Sequence, residues 1–453
     1  MSKPKEYSSM TKDKLMTYTF VALLVLTIVT IALWSPITVM HIDGSQGWNL
    51  GLTLAACALV AVGVAVGIDV LFYKLVSDSP LNIMSAAVFG LIVTLSYSYG
   101  VPLMNTEAVL PVEAPGALIF VAAIAMVGMV VFKKVMSGRK LVNPAAAAKF
   151  LVLLPLLNSV FLAVDHMKDS MLGVPALAGP IGPGLTPING NGFASFSSYL
   201  QSCFGNPTMG VAPADINWIM MVEKFHGWAG GASSIAVIIV GLALFVVARR
   251  YIKWRITLTY FVGISLMSVL MSTIYADGDL FTRLIFEVFI GSSIFMAFFM
   301  ATDPATTPIT HTGQIIFGAG LAVLTILIQT YMNFFGGALL ALLIMNLVTP
   351  KLDGIGKGKA TTETKEPKLP KPKAFPPEKI KEYPCMRCGA CMNVCCHKLS
   401  PILIKQAFDK QNFDALIKLH PDYCTGCGHC TFICPARIDL RKSVLQAKGA
   451  LRG

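Results

Sequence analysis

Eight of the 11 cysteines fall into two runs with one rhythm. Cys385, Cys388, Cys391 and Cys395 follow C-x2-C-x2-C-x3-C, and Cys424, Cys427, Cys430 and Cys434 repeat it, with Pro435 after the last. This doubled spacing belongs to pairs of [4Fe–4S] clusters, in which the fourth cysteine of each run serves the other cluster. The expected ligand sets are therefore Cys385, Cys388, Cys391 and Cys434 for one, and Cys424, Cys427, Cys430 and Cys395 for the other. Zinc sites use four ligands, usually as paired Cys or Cys/His, so two runs of four are excessive for zinc. Disulfides do not fit a reducing cytoplasm. Gly389 and Gly428 leave room for backbone beside the clusters. Cys396 stands where a proline is usual; it either competes with Cys395 or is a buried thiol. Cys57 and Cys203 have no assigned role.

The elements that must hold these thiols read as helical. Between the runs, SPILIKQAFDKQNFDALIKLH has helical periodicity, with Ile402, Ala407, Phe408, Leu416 and Ile417 as the expected core. Residues 385–453 thus read as a small helical ferredoxin domain with two [4Fe–4S] clusters. Residues 353–384 are rich in Lys and Pro with few large apolar groups. Such a chain cannot bury a core and reads as a linker. It is expected to be an extended, solvated tether spanning on the order of 30 Å, whose lysines also suit anionic lipid.

The remainder is a different object. Over 453 residues, 55% are hydrophobic and 13% charged, with mean hydropathy +0.67. A soluble domain carries about a quarter charged residues, so an ordinary soluble enzyme is excluded. Before residue 353, ten apolar runs are long enough to be read as spans, at about 16–35, 49–73, 81–99, 117–135, 148–165, 227–248, 255–274, 281–301, 313–332 and 334–349. The expected fold is an all-α membrane protein, with ten transmembrane helices over 1–352 and the ferredoxin domain appended. Basic residues collect in the N-terminal tail and in the second, fourth and sixth loops, with Lys149 counted in the fourth. By the positive-inside rule both termini are cytoplasmic, and the net charge of +12 reports orientation rather than nucleic-acid binding. The fifth loop, 166–226, is long, Gly- and Pro-rich and extracytoplasmic. It is either functional or a solvated cap.

Residues 383–452 closely resemble the C-terminal ferredoxin region of the RnfC protein of the Rnf complex, through PCMRCGACMNVC, DYCTGCGHCTFICPARIDL and a final helix. The membrane half resembles the family that unites the RnfD protein of that complex with its counterpart, the NqrB protein, in the sodium-translocating NADH:quinone reductase. The matching stretches are SGRKLVNPAAAAKF at 137–150, RRYIKWRI at 249–256, MAFFMATDPATTPIT at 296–310 and ALLIMNLVTPKLD at 341–353. The resemblance implies two flavins, one FMN bound covalently through a phosphoester to a Thr, and one flavin, riboflavin or FMN, held without a bond. The family's Ser-Gly-Ala-Thr-Pro site corresponds to Gly184-Leu185-Thr186-Pro187 in the outer loop, which makes Thr186 the covalent candidate and Thr208 the runner-up. Pro183 and Leu185 depart from that pattern. The resemblance places the non-covalent flavin on the cytoplasmic side, at Asn143 and Asp303. Both residues also precede Pro, an arrangement common at helix starts. Lys140 replaces a further Asn usual there.

The family's Gly-Glu-Thr-Ser at the sixth span is Gly231-Ala232-Ser233-Ser234 here, without the acid. Glu287 is then the remaining clearly intramembrane carboxylate and the ion-coupling candidate, with a bond to Arg283 one turn away as the alternative. The favoured reading is a membrane oxidoreductase subunit that relays electrons between a cytoplasmic donor or acceptor protein, two [4Fe–4S] clusters and membrane flavins, with Na+ or H+ translocation. The other subunits of a redox complex and a periplasmic-side flavin or cytochrome carrier are its expected partners, in the cytoplasmic membrane of a bacterium or archaeon. Two alternatives stay open: a quinone reductase subunit that does not pump, and a transporter with an iron–sulfur sensor. No G-x-G-x-x-G unit offers nicotinamide chemistry, and none of the seven His sits mid-span to bind haem.

Overall fold

The computed structural model describes residues 6–36, 38–40, 46–76, 81–97, 114–136, 141–152, 228–275, 280–289, 293–331, 337–364, 366–376 and 380–451. Eleven helices precede residue 353 among them. Without water, backbone polar groups must bond within their own segment, so long apolar runs become helices. α1 (Lys12–Trp34), α2 (Leu50–Leu75) and α3 (Ile83–Leu95) pack together. The side chains of Thr11 and Asn49 cap α1 and α2 by accepting the Lys14 and Leu52 N–H groups. α4 (Ala114–Val127) continues as a wider π-helical stretch, Gly128–Val135, and meets α5 (Pro144–Val152).

After Trp228 come α6 (Ser234–Ala248), α7 (Trp254–Tyr275), α8 (Leu280–Phe289), α9 (Ser293–Phe295, continuing as a π-helical turn to Met300), α10 (His311–Tyr331) and α11 (Gly337–Leu352). Leu59, Val246 and Leu266 are 77%, 79% and 66% exposed on these helices. Outward-facing apolar side chains of that size suit lipid and not water.

Among the described residues, five helical stretches are long and apolar enough to cross a membrane: Lys12–Trp34, Leu50–Leu75, Ala117–Val135, Trp254–Ile274 and His311–Gln329. Arg283–Phe289 and Ser293–Met300 make a sixth if the 54° between them is a bend in one span. α3, α6 and α11 are apolar but shorter. The expected span at 148–165 is described only as far as Val152, inside α5. α6 is short because residues 228–233 run irregularly inside the protein. There Ala229 donates to the Tyr97 carbonyl and its own carbonyl accepts from Thr30 Oγ1. Irregular backbone at membrane depth is tolerated when buried in protein in this way.

Residues 380–451 form a separate helical unit. It contains α12 (Ala390–Asn393), α13 (Pro401–Asp409), α14 (Phe413–Ile417), α15 (His429–Ile433) and α16 (Leu440–Ala450). Ile404, Ala407, Leu416, Val444 and Ala447 share one buried cluster, and Ile402 is buried in another. Of the expected core residues, Phe408 is partly buried. Ile417 is a correction: it is 57% exposed, because α14 is a short helix that turns Leu416 and not its neighbour inward.

The linker is extended, as its composition demands, yet it is seated and not free. β4 (Pro372–Ala374) pairs antiparallel with β1 (Glu6–Ser8), in the register Tyr7 to Lys373, while β2 (Thr38–Met40) pairs with β3 (Gln46–Asn49). Arg250 donates to the Lys368 carbonyl at 2.7 Å. The Arg437 guanidinium stacks between Tyr7 and Phe375, 4.4 and 4.2 Å from their ring centres. The beginning of the chain, the linker and the cysteine unit thus meet at one end of the helix assembly.

Candidate redox site

The two cysteine runs fold alike. Arg387 and Gly389 have positive φ in the first run, and Gly426 and Gly428 at the same offsets in the second. Lys398 and Arg437, each three residues beyond the fourth cysteine of its run, match in the same way. Gly389 and Gly428 lead into the short helices α12 and α15, which pack on each other. A Cβ on Gly389 would lie 3.2 Å from the Ile309 carbonyl oxygen of the membrane part, so the close approach there also calls for glycine.

This symmetry folds the thiols into two groups. Cys391 has Cys388, Cys385 and Cys434 as its electrostatic neighbours, with Cys430 beyond them. Cys430 has Cys395, Cys424 and Cys427. These are the groupings read from the spacing. A cleft is lined by Cys395, Cys424, Cys427 and Cys430 together. Burial pushes Cys388 and Cys430 up to about 12 and Cys434 to about 11. Neighbouring thiols add to the rise at each. Such a donor set gives up its protons only to strongly bound cations. Backbone N–H groups of Ala390, Thr431 and Ala436 donate to Cys388, Cys430 and Cys434, the kind of bond that tunes a cluster. The donor chemistry, the grouping and the N–H···S bonds fit two [4Fe–4S] clusters.

The first group lies against the membrane part. Cys391 and Cys434 share a buried apolar cluster with Leu15, Ala248, Tyr251 and Ile309. Arg387 forms a buried ion pair with Asp353, and Asp353 Oδ1 accepts from the Ile309 N–H at 2.9 Å. Lys12 N donates to the Pro435 carbonyl, and the Tyr383 hydroxyl to Asp13. Lys253 is buried beneath this contact. Its ammonium donates to the Pro304 carbonyl and the Thr307 carbonyl, each at 2.8 Å, and to Thr307 Oγ1 at 3.0 Å. Burial, then Arg387, pushes Lys253 down to about 7, while Asp353, Asp303 and Cys388 pull the other way.

Asn143 and Asp303 are brought close, because Asn143 Nδ2 donates to the Met300 carbonyl at 3.3 Å. Asn143 Oδ1 accepts from the Ala145 and Ala146 N–H groups and caps α5. Asp303 accepts from the Ala305 N–H and from Thr306 Oγ1. Both do the work of helix or turn caps, which leaves Asn143 one amide hydrogen to offer. The sequence reading missed Asn346 on α11. It is fully buried, and neither side-chain amide atom has a hydrogen-bond partner. One turn on, Thr349 donates to the Thr306 carbonyl at 2.9 Å, so this face of α11 looks toward the Asp303 loop. A buried orphan amide costs about 1–3 kcal/mol. Together with the remaining Asn143 hydrogen it fits a ligand offering both donors and acceptors, as a flavin ring does.

Thr186, Thr208, Lys140 and the whole 166–226 loop lie outside the described residues. Glu287 is buried on α8, its Oε2 without a partner, and Arg283 is buried one turn earlier. It is not alone. Asp69 on α2 is 3% exposed and pairs with Lys134 at 2.7 Å, while its Oδ2 accepts from the Asn82 N–H. Its place inside an apolar run was the available signal. Lys149 is a correction. It is a buried residue of α5 and not a loop charge. Its ammonium bonds the Ser96 carbonyl at the C-terminal end of α3, where the helix dipole favours a cation, and lies 4.3 Å over the Trp228 ring.

A profile of the NQR2, RnfD, RnfE family matches residues 1–361. The chain belongs to that family. It is accordingly a helical, multi-pass membrane protein. Among curated relatives of this family, the RnfD-type component of an ion-translocating oxidoreductase complex from Shewanella amazonensis is 26% identical over 54% of this chain and 71% of its own. The corresponding component of the proton-translocating ferredoxin:NAD(+) oxidoreductase complex of Clostridium ljungdahlii is 25% identical, over 68% and 83%. The matching component of the Na(+)-translocating NADH-quinone reductase of Ectopseudomonas mendocina is 31% identical over shorter shares, 36% and 41%. The family match ends before both cysteine runs.

Proposed function

We propose that the chain is an electron-transfer subunit of a membrane-bound, ion-translocating oxidoreductase complex, with its own two-cluster ferredoxin domain docked at the cytoplasmic face. The carrying observation is the packing of Cys391 and Cys434 against Ile309, on the loop that holds Asp303. When bound, the clusters supply one-electron carriers and the flavins a junction between two-electron and one-electron chemistry. Cys424, Cys427, Cys430 and Cys395 hold the cluster nearer to a soluble cytoplasmic partner. Asn143, Asp303 and the Asn346 amide hold the non-covalent flavin, riboflavin or FMN. Thr186 carries the covalent FMN on the outer side, facing a further subunit or a periplasmic-side carrier. Meeting of the two chain ends at one face supports an even number of spans, ten in this reading, with both termini in the cytoplasm of a bacterium or archaeon.

Glu287 is the first candidate for ion coupling, and Asp69 is tied up with Lys134. Ala232, buried where the family usually has an acid, favours a second reading, in which the same electron path runs without pumping. Sodium or proton uptake into vesicles separates the two. Uptake that Glu287→Gln abolishes supports coupling, and no uptake by the wild type supports the second reading. The flavin assignment is tested by in-gel fluorescence after denaturing electrophoresis. Wild type is expected to fluoresce and Thr186→Val to be dark; a bright variant removes Thr186.

A further inference from the structure

Cys396 is the thiol in the C-terminal unit that the proposed ligand sets leave unused. Its Sγ, Cys427 Sγ and His429 Nδ1 all lie within 4.8 Å of one another, and the Cys396–His429 separation is 3.3 Å. Two sulfurs on one tetrahedral metal, each bonded at about 2.3 Å, sit roughly 3.8 Å apart. Cys396 is therefore within a small side-chain rotation of the iron that Cys427 would bind. Cys427 is also the most accessible of its group: it is exposed, while Cys395, Cys424 and Cys430 are half-buried. An exposed corner of a cluster is where a ligand is most readily displaced or oxidised. Sequence and geometry agree on the oddity, since a thiol occupies the position where proline, with no donor at all, is usual.

We propose that Cys396 is a reserve ligand of the second cluster, poised to take the iron corner held by Cys427. The inference rests on the two-cluster reading above. In the exchange the iron–sulfur bond to Cys427 breaks and one to Cys396 forms. The Cys396 proton passes to the released Cys427 thiolate, and no electron is transferred. Cys395, next in the chain, keeps its own corner throughout. The second cluster thus has five thiols to draw on, and the first only four.

The test is iron and acid-labile sulfide per full-length chain purified anaerobically in detergent, with EPR of the reduced protein. Wild type should hold about eight irons. Cys427→Ala should keep them, and so should Cys396→Ala. The Cys427→Ala, Cys396→Ala double variant should drop twofold, as should Cys424→Ala, which has no spare thiol beside it. Four irons remaining in the depleted variants shows that the unit still folds around its first cluster. A twofold loss in Cys427→Ala alone overturns the proposal, and so does full retention in the double variant. A wild type without iron overturns the cluster reading itself, which is a distinct result.

Discussion

The two cysteine groups share one spacing and one backbone path, yet their surroundings differ. In the first, Cys391 and Cys434 are buried among membrane-part side chains, and Lys253, Arg387 and Arg437 stand near. In the second every thiol is at least partly exposed, and the charges acting on Cys430 come from other thiols. Arg387 makes the difference plain. It occupies a left-handed position that its counterpart fills with Gly426, at a cost of roughly 1–2 kcal/mol for a side chain. The return is its ion pair with Asp353. One half of a symmetric unit docks on the membrane part, and the other is left open.

The strongest way to break this comparison is to remove a buried ligand. Cys391→Ala should lose one cluster, about half the iron, and loosen the apolar contact with Leu15 and Ile309. Limited proteolysis of the linker should then be faster than in Cys424→Ala, which empties the open group. Equal cleavage rates would mean that the first group is not a docking element. Next comes Arg387→Ala, which leaves the buried Asp353 carboxylate without its guanidinium partner. Breaking a buried pair from one side costs about 3–5 kcal/mol, and the thermal midpoint should fall accordingly. Arg441→Ala, beside the open group, should barely move it.

A smaller effect is expected from Lys253. Burial lowers it to about 7 in the folded chain, far below the unfolded value. Between pH 7 and 10 the unfolded state therefore binds more protons, so stability rises with pH. In iron-free protein the unfolding midpoint should climb from pH 7 to pH 9. Lys253→Met should flatten that slope, and an unchanged slope would refute the assignment. The smallest effect belongs to Lys405, whose exposed pair with Asp409 at 2.7 Å spans one helical turn. Lys405→Ala should change stability by less than about 0.5 kcal/mol and leave iron content intact.

The sequence made some of this plain and hid the rest for physical reasons. The two cysteine runs declare themselves because metal geometry dictates short, fixed spacings. Long apolar runs declare helices because lipid leaves the backbone no other choice. The seat of the linker stayed hidden, since β1 and β4 pair across more than 350 residues, and no local pattern encodes such a partner. Lys149 was misplaced because a lysine near a span end counts as a loop charge until a helix terminus and an aromatic ring are seen to receive it. Asn346 lies in a run of ordinary helical appearance, and only its unmet hydrogen bonds single it out. Thr186 rests on resemblance alone.

The central claim is that one chain holds two adjacent clusters, one against its membrane part and one facing outward. EPR of the reduced, full-length protein tests it most directly. Two [4Fe–4S] signals with spin–spin coupling are expected, reduced to one uncoupled signal by Cys391→Ala. A wild type showing a single isolated centre, or two zinc ions in place of iron, would contradict it.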